Sequence, residues 1–214
     1  MGRRALRRID PTLDLSKHLL VLENLPQPLD TDALFGRSAP VEIEVGCGKG
    51  LFLATAAAAD PAANYLGIEI LAKYARFTAA RLATQVLPNA KIVHGDAGHF
   101  FRSWLADASV RAVHVYFPDP WWKARHKKRR VMNGQFVQNV QRVLLPGGKL
   151  HFWTDVAEYF EASLEMIASA TGLEGPHPVS ESPASHDLDY RTHFERRVRL
   201  HEEAVYRAEF EKPA

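Results

Sequence analysis

The sequence predicts an α/β domain built on a mostly parallel sheet with helices on both faces. Short β-rich runs alternate with helical segments in five successive units, a glycine-rich turn follows the first run, and residues 205–211 alternate apolar and polar side chains.

Val41–Val45 reads as a buried strand and the alanine-rich Leu51–Ala59 as the helix after it. Residues 65–68 form the second strand and residues 71–87 a long helix closed by Pro88. A third strand fits Ala90–His94, followed by a helix near residues 99–106, and residues 110–117 make the fourth strand. Phe136, Val137, Val140, Val143 and Leu144 then recur at helical spacing until Pro146-Gly147-Gly148 ends the helix. Residues 149–154 are the fifth strand and 156–170 its helix, so right-handed crossovers place helices on both sides of the sheet. Residues 175–190, rich in proline and serine and without period, read as a surface loop. Residues 191–201 read as a short helix, and Tyr206, Ala208 and Phe210 line one face of a half-buried final strand that fits antiparallel.

At 214 residues and 46% hydrophobic, the chain suits one domain over residues 31–214, preceded by a basic arm and lead-in over residues 1–30. The single cysteine, Cys47, excludes an intramolecular disulfide framework and a CxxC zinc site, so a metal-free protein of a reducing, cytoplasmic compartment is expected. The longest nearly apolar run, Leu51–Ala59, falls far short of the roughly 20 residues that span a bilayer. A net charge of +2 does not announce a nucleic-acid partner, but its distribution does. Basic residues cluster at Arg3, Arg4, Arg7 and Arg8, within residues 123–130, and within residues 191–199.

The first strand runs into Glu44-Val45-Gly46-Cys47-Gly48-Lys49-Gly50. Gly46 and Gly48 let the backbone pass close under a nucleotide-like ligand, because no Cβ blocks the approach. The dinucleotide fingerprint needs a third glycine where this chain has Leu51, and no Gly-Lys-Ser/Thr follows for a phosphate-binding loop. Acids at the strand ends favour a cationic ligand, S-adenosylmethionine, instead. Glu44 precedes the glycine turn where it would serve the amino acid end. Glu69 ends the second strand at the position that takes ribose hydroxyls, and Asp96 after the third strand would accept from the adenine amine. For Asp96, a helix N-cap is the alternative reading.

The fourth strand delivers Phe117-Pro118-Asp119-Pro120-Trp121-Trp122-Lys123 to the same rim. The two prolines fix φ on both sides of Asp119, so its carboxylate is presented with little backbone freedom left to lose. Trp122 suits stacking or core equally. Six Lys or Arg among the eight residues 123–130 provide for phosphates.

These segments, with Gly67-Ile68-Glu69, Gly95-Asp96-Ala97, Thr154-Asp155 and Thr192-His193-Phe194-Glu195, resemble the tRNA guanine-N7 methyltransferases of the bacterial TrmB type. The resemblance implies a Rossmann-like class I S-adenosylmethionine-dependent fold with a mostly parallel seven-stranded sheet and an antiparallel last strand. It also implies methyl transfer from S-adenosylmethionine to N7 of a variable-loop guanine of tRNA, conventionally position 46, with no obligate protein partner. By resemblance, Glu44, Glu69, Asp96 and Asp119 bind the cofactor, with Asp119 also the active-site acid. Lys123, Asp155, Thr192, His193, Phe194 and Glu195 bind substrate, and Arg125, His126, Lys127, Lys128, Arg129 and Arg130 contact RNA. The family commonly has a basic residue at the His193 position and proline or histidine at the Trp122 position. Thr192, Phe194 and Glu195 suit a lid over the target base. The alternatives are methylation of an exocyclic amine of RNA, which ordinarily uses two consecutive prolines after the acid, and a non-enzymatic RNA-binding module.

Overall fold

The computed structural model describes residues 6–121, 125, 129–181, 183–184, 186 and 189–214. Of the residues singled out above, Arg3, Arg4, Trp122, Lys123, His126, Lys127 and Lys128 lie outside the described residues. The strands are β1 (Leu19–Val21), β2 (Val41–Val45), β3 (Asn64–Glu69), β4 (Ala90–His94), β5 (Val110–Tyr116), β6 (Leu144–Thr154), β7 (Glu174–Pro178) and β8 (Tyr206–Glu211). The helices are α1 (Thr31–Phe35), α2 (Leu51–Ala59), α3 (Ala72–Thr84), α4 (Ala97–Ser103), α5 (Gly134–Val143), α6 (Ala157–Ala170) and α7 (His193–Leu200).

The strands form one sheet in the order β1-β4-β3-β2-β5-β6-β8-β7. From β1 to β6 every neighbour is parallel, and β8 runs antiparallel to both β6 and β7. The sheet therefore has eight strands among the described residues where seven were expected. The additional edge is β1, whose Leu19 pairs with Ile92 of β4. Three residues carry no readable period, so nothing in the lead-in marks a strand.

Strand alternation sorts the two faces chemically. Ile43, Val45, Leu66, Ile68, Val93, Val113, Val115, Leu150 and Phe152 turn to one side and join Phe100 and Phe101 of α4, Tyr159 and Ile167 of α6, and the stripe of α5 in the main core. That stripe, Phe136, Val137, Val140 and Val143, is fully buried, and each such side chain contributes roughly 1.5–3 kcal/mol. On the other side Leu53 of α2 and Leu82 of α3 pack with Tyr65 of β3 and Ala90 of β4, and Ala79 of α3 packs with Ile92 of β4. Over β2, β5 and β6 this second face is polar and aromatic instead, presenting Glu42, Glu44, His114, Tyr116, His151 and Trp153.

Two local expectations are corrected. Pro146-Gly147-Gly148 does not end α5: the helix stops at Val143, and these residues form an irregularity near the start of β6, where the register shifts between Val110 and Ala112. A Cβ on Gly148 would meet the Leu145 and Arg111 carbonyl oxygens at 2.8 and 3.0 Å, so the position requires glycine. Residues 175–190 are not wholly loop, because β7 extends to Pro178. It is the last strand of the sheet, and an edge is where prolines such as Pro176 and Pro178 are tolerated.

Candidate cofactor and RNA site

The C-terminal ends of β2, β3 and β5 meet at one rim. Beyond β2 the chain makes a turn in which Gly46, Gly48 and Gly50 all take left-handed conformations, with φ of +76°, +53° and +64°. The Gly46 amide donates to Ile68 O at 2.8 Å and Gly50 to Cys47 O at 2.8 Å, closing the turn onto α2. A Cβ at Gly50 would strike Thr78 of α3, whereas a Cβ at Gly46 or Gly48 would meet nothing within 4 Å. The first case is helix packing. The other two leave an open cradle for a ligand to approach the backbone.

Glu44 stands directly below that cradle. It is 3% exposed, and its Oε2 has no hydrogen-bond partner among the described residues. Burial, helped by the nearby charge of Glu69, pushes its carboxyl up to about 8 against weaker hydrogen bonding from Cys47 and the Leu53 amide. A buried acid with an unused oxygen beside a glycine turn is suited to receive a cationic hydrogen-bond donor.

Glu69 is held by backbone. Its Oε2 accepts from Gly48 N at 2.9 Å and its Oε1 from Leu71 N at 2.9 Å, which ties the glycine turn to the end of β3. Each carboxylate oxygen keeps a lone pair for ribose hydroxyls. Asp96 is exposed, and its Oδ1 accepts from His99 N at 2.7 Å, so it does cap α4. This leaves the second oxygen to face a ligand.

Asp119 is exposed at the neighbouring rim position beyond β5, within a turn bracketed by Phe117 at φ +50° and Trp121 at φ +42°. Two non-glycine residues in that region mark a constrained segment. The turn is anchored by Phe117 N donating to Trp153 O at 2.8 Å and by Arg130 Nε donating to Pro120 O at 2.7 Å. The Arg130 guanidinium also lies 4.6 Å from the Tyr159 ring centroid. Arg130 is thereby turned back onto the protein, unlike the exposed Arg125 and Arg129, the latter lying over the Trp121 ring at 5.1 Å.

Asp155 follows β6 and is partly buried. Burial raises its carboxyl, and Arg197 opposes the rise. Thr192 caps α7, its Oγ1 accepting from Glu195 N at 2.9 Å, while Glu195 Oε2 accepts from Arg191 N at 2.6 Å. Glu195, 3% exposed, also pairs with Arg199 at 3.4 Å and Arg207 at 3.2 Å. Its carboxylate is therefore occupied in seating α7 against β8. Phe194 packs on Phe117 with centroids 4.9 Å apart, and His193 Nε2 lies 3.0 Å from Arg81 of α3.

Sequence reasoning missed the residues that support this rim. Glu42 is held down at about 2, because hydrogen bonds from His114 and Arg111 outweigh burial, which works the other way. Burial also keeps His114 below the usual histidine range. The neutral ring then donates from Nε2 to Glu42 at 2.8 Å and accepts at Nδ1 from Tyr116 OH at 2.9 Å, fixing Tyr116 edge-on to Phe52 of α2. Arg191 lies over Phe52 and Trp153, at 5.7 and 5.9 Å. Spacing offered no signal for contacts between such distant segments. A separate cavity of about 520 Å³, lined in part by Leu13, Phe35, Val86 and Pro88, lies near the start of β4, away from this rim.

Residues 38–208 match a family described as putative methyltransferase. The chain is 49% identical to a tRNA (guanine-N(7)-)-methyltransferase of Rhodopirellula baltica over 99% of its own length and 80% of that protein's. It is 38% identical to the enzyme of the same name from Syntrophotalea carbinolica, covering 81% of this chain and 75% of the other. A SAM dependent methyltransferase of known structure from Aquifex aeolicus shares the fold, with a TM-score of 0.57 at 13% identity, over 85% of this chain and 87% of that one. The glycine cradle, the strand-end acids and this degree of identity together lead to one conclusion: the chain belongs to the tRNA (guanine-N(7)-)-methyltransferase family.

Proposed function

We propose that this protein transfers a methyl group from S-adenosylmethionine to N7 of a guanine in tRNA, the variable-loop guanine at the conventional position 46, and does so in the cytoplasm. The observation that carries the reading is the unpartnered, buried oxygen of Glu44 under an open glycine cradle, on the rim that also bears the proline-clamped Asp119. The donor set suits this cofactor, a cation with an ammonium, a ribose diol and an adenine amine. Glu44 would hold the ammonium, Glu69 the ribose and Asp96 the adenine amine, with Gly46 and Gly48 allowing the close approach. When bound, the cofactor supplies an electrophilic methyl group on a sulfonium centre.

Guanine N7 carries an in-plane lone pair and no proton, so the chain needs no general base. Its task is alignment and charge. Asp119 accepts from the guanine N1 and N2 donors and offsets the positive charge that develops on the methylated base. Its clamped backbone makes that placement inexpensive in entropy. Asp155, Thr192 and Phe194 flank the same opening, and Lys123 belongs to this substrate group by resemblance. Arg125 and Arg129 are exposed for phosphates, and His126, Lys127 and Lys128 join them in the RNA-contacting run by resemblance, while Arg130 and Glu195 act from within, holding the Asp119 turn and α7. The reading is tested by incubating the protein with unmodified tRNA and labelled S-adenosylmethionine, then mapping the modified base by mass analysis of nucleosides. The expected product is 7-methylguanosine at one variable-loop position. Label on an exocyclic amine, or none, overturns it.

A further inference from the structure

We propose that Arg81 is a positioning residue, fastening the start of α7 as a strap across the cofactor cleft. Arg81 lies in the last turn of α3, and its guanidinium is 3.0 Å from Nε2 of His193, 112 residues further along the chain. Arginine only donates, so the ring nitrogen accepts. Among the described residues this is the polar partner of Arg81, and the guanidinium is partly withdrawn from water, enough for burial to lower its pKa. A half-desolvated cation without a carboxylate is a poor stabiliser of a helix surface. Its value has to lie in what it holds.

What it holds is placed by the sheet order. α3 packs on β3 and β4, on one side of β2, whereas α7 leads into β8, on the other side beyond β5 and β6. Thr78 of α3, one turn before Arg81, donates to Gly48 O at 3.1 Å, so the contact from α3 to the first residue of α7 passes beside the glycine turn that follows β2. The next residue, Phe194, fastens the same segment to Phe117 at the mouth of the Asp119 turn, with rings 4.9 Å apart. Two residues before His193, Arg191 lies over Phe52 at the start of α2 and over Trp153. Three anchor points within four residues, on Phe52 and Trp153, on Arg81 and on Phe117, make the segment a bridge over whatever binds there. The strap thus brings Thr192 and Phe194 to the base that Asp119 orients, and it obstructs departure of the ligand below.

This inference rests on the methyltransferase reading, and the experiment separates the two. Stopped-flow displacement measures S-adenosylmethionine dissociation from the full-length protein without RNA, and steady-state assays with tRNA follow. Arg81→Ala should speed dissociation and raise KM for tRNA by about tenfold, the scale of one hydrogen bond to a charged group. Arg81→Lys, which keeps a donor, should recover part of both effects. His193→Ala should match Arg81→Ala, and the double variant should be no worse than either single one. Additive losses in the double variant, or dissociation unchanged in both single variants while circular dichroism shows them folded, overturn the strap. A parent protein that binds no S-adenosylmethionine overturns the methyltransferase reading itself.

Discussion

Glu44 is a carboxyl kept unlike itself by its surroundings. Its folded value of about 8 stands above the ordinary 4.5, so between those values the folded protein retains a proton that the unfolded chain has released. Stability contributed by this site is complete below the lower value and is lost as pH rises towards the upper one. Glu44→Gln removes the loss. The variant should melt a few degrees higher than the parent at pH 8 and no higher at pH 4.5, on a scale of roughly 2–4 °C per kcal/mol for a chain of this size. The same substitution should weaken S-adenosylmethionine binding about tenfold or more, since a charge-assisted bond becomes a neutral one. Binding to the parent near pH 7 should release close to one proton, measurable by calorimetry in buffers of different ionisation enthalpy. Equal apparent enthalpies in those buffers would refute the protonated resting state. Asp119 behaves otherwise, being exposed and held by its backbone. Asp119→Asn should cut turnover roughly 100-fold or more, within the range that charge-stabilising groups supply, while S-adenosylmethionine affinity changes little.

At the level of elements, residues already assigned to ligands prove to have a second, structural task. Thr192-His193-Phe194-Glu195 has the spacing of a capping box, and the structure makes half of one: Thr192 Oγ1 accepts from Glu195 N, while Glu195 reaches one residue past the cap to accept from Arg191 N. Asp96 likewise caps α4. Thr192→Ala should cost about 1 kcal/mol, concentrated in α7. Hydrogen exchange of the α7 amides should accelerate while that of α5, buried in the main core, does not. Uniform acceleration across both helices would show that the cap supports the whole fold instead. The acids, glycines and clamped Asp119 were legible in sequence because each sits where a strand ends, a position set by local pattern. Arg81, Arg191 and the His114–Glu42 pair were not, because their partners come from segments far apart in the chain, and only the closed sheet brings them together.

Across the whole molecule, the long hydrophobic strands and the α5 stripe announced the parallel sheet and its main core, whereas both sheet edges escaped notice. β1 is too short to show a period, and the prolines of β7 mimic a loop. The charge pattern divides in a similar way. Residues 123–130 look uniform as a string of cations, yet the fold separates Arg129, exposed over Trp121, from Arg130, bound to Pro120 O and packed on Tyr159. A phosphate contact releases a counterion, and a guanidinium already bonded to the protein does not. Arg129→Ala should therefore reduce the slope of log K against log salt for tRNA binding by about 0.7–0.9, the share of one phosphate. Arg130→Ala should leave that slope near the parent value and lower turnover, because the turn presenting Asp119 loses its tether. Titrations of both variants over a range of salt concentrations decide the matter. If Arg130→Ala flattens the slope as much as Arg129→Ala does, the guanidinium leaves Pro120 when RNA arrives, and the Asp119 turn is held by the substrate rather than by the protein.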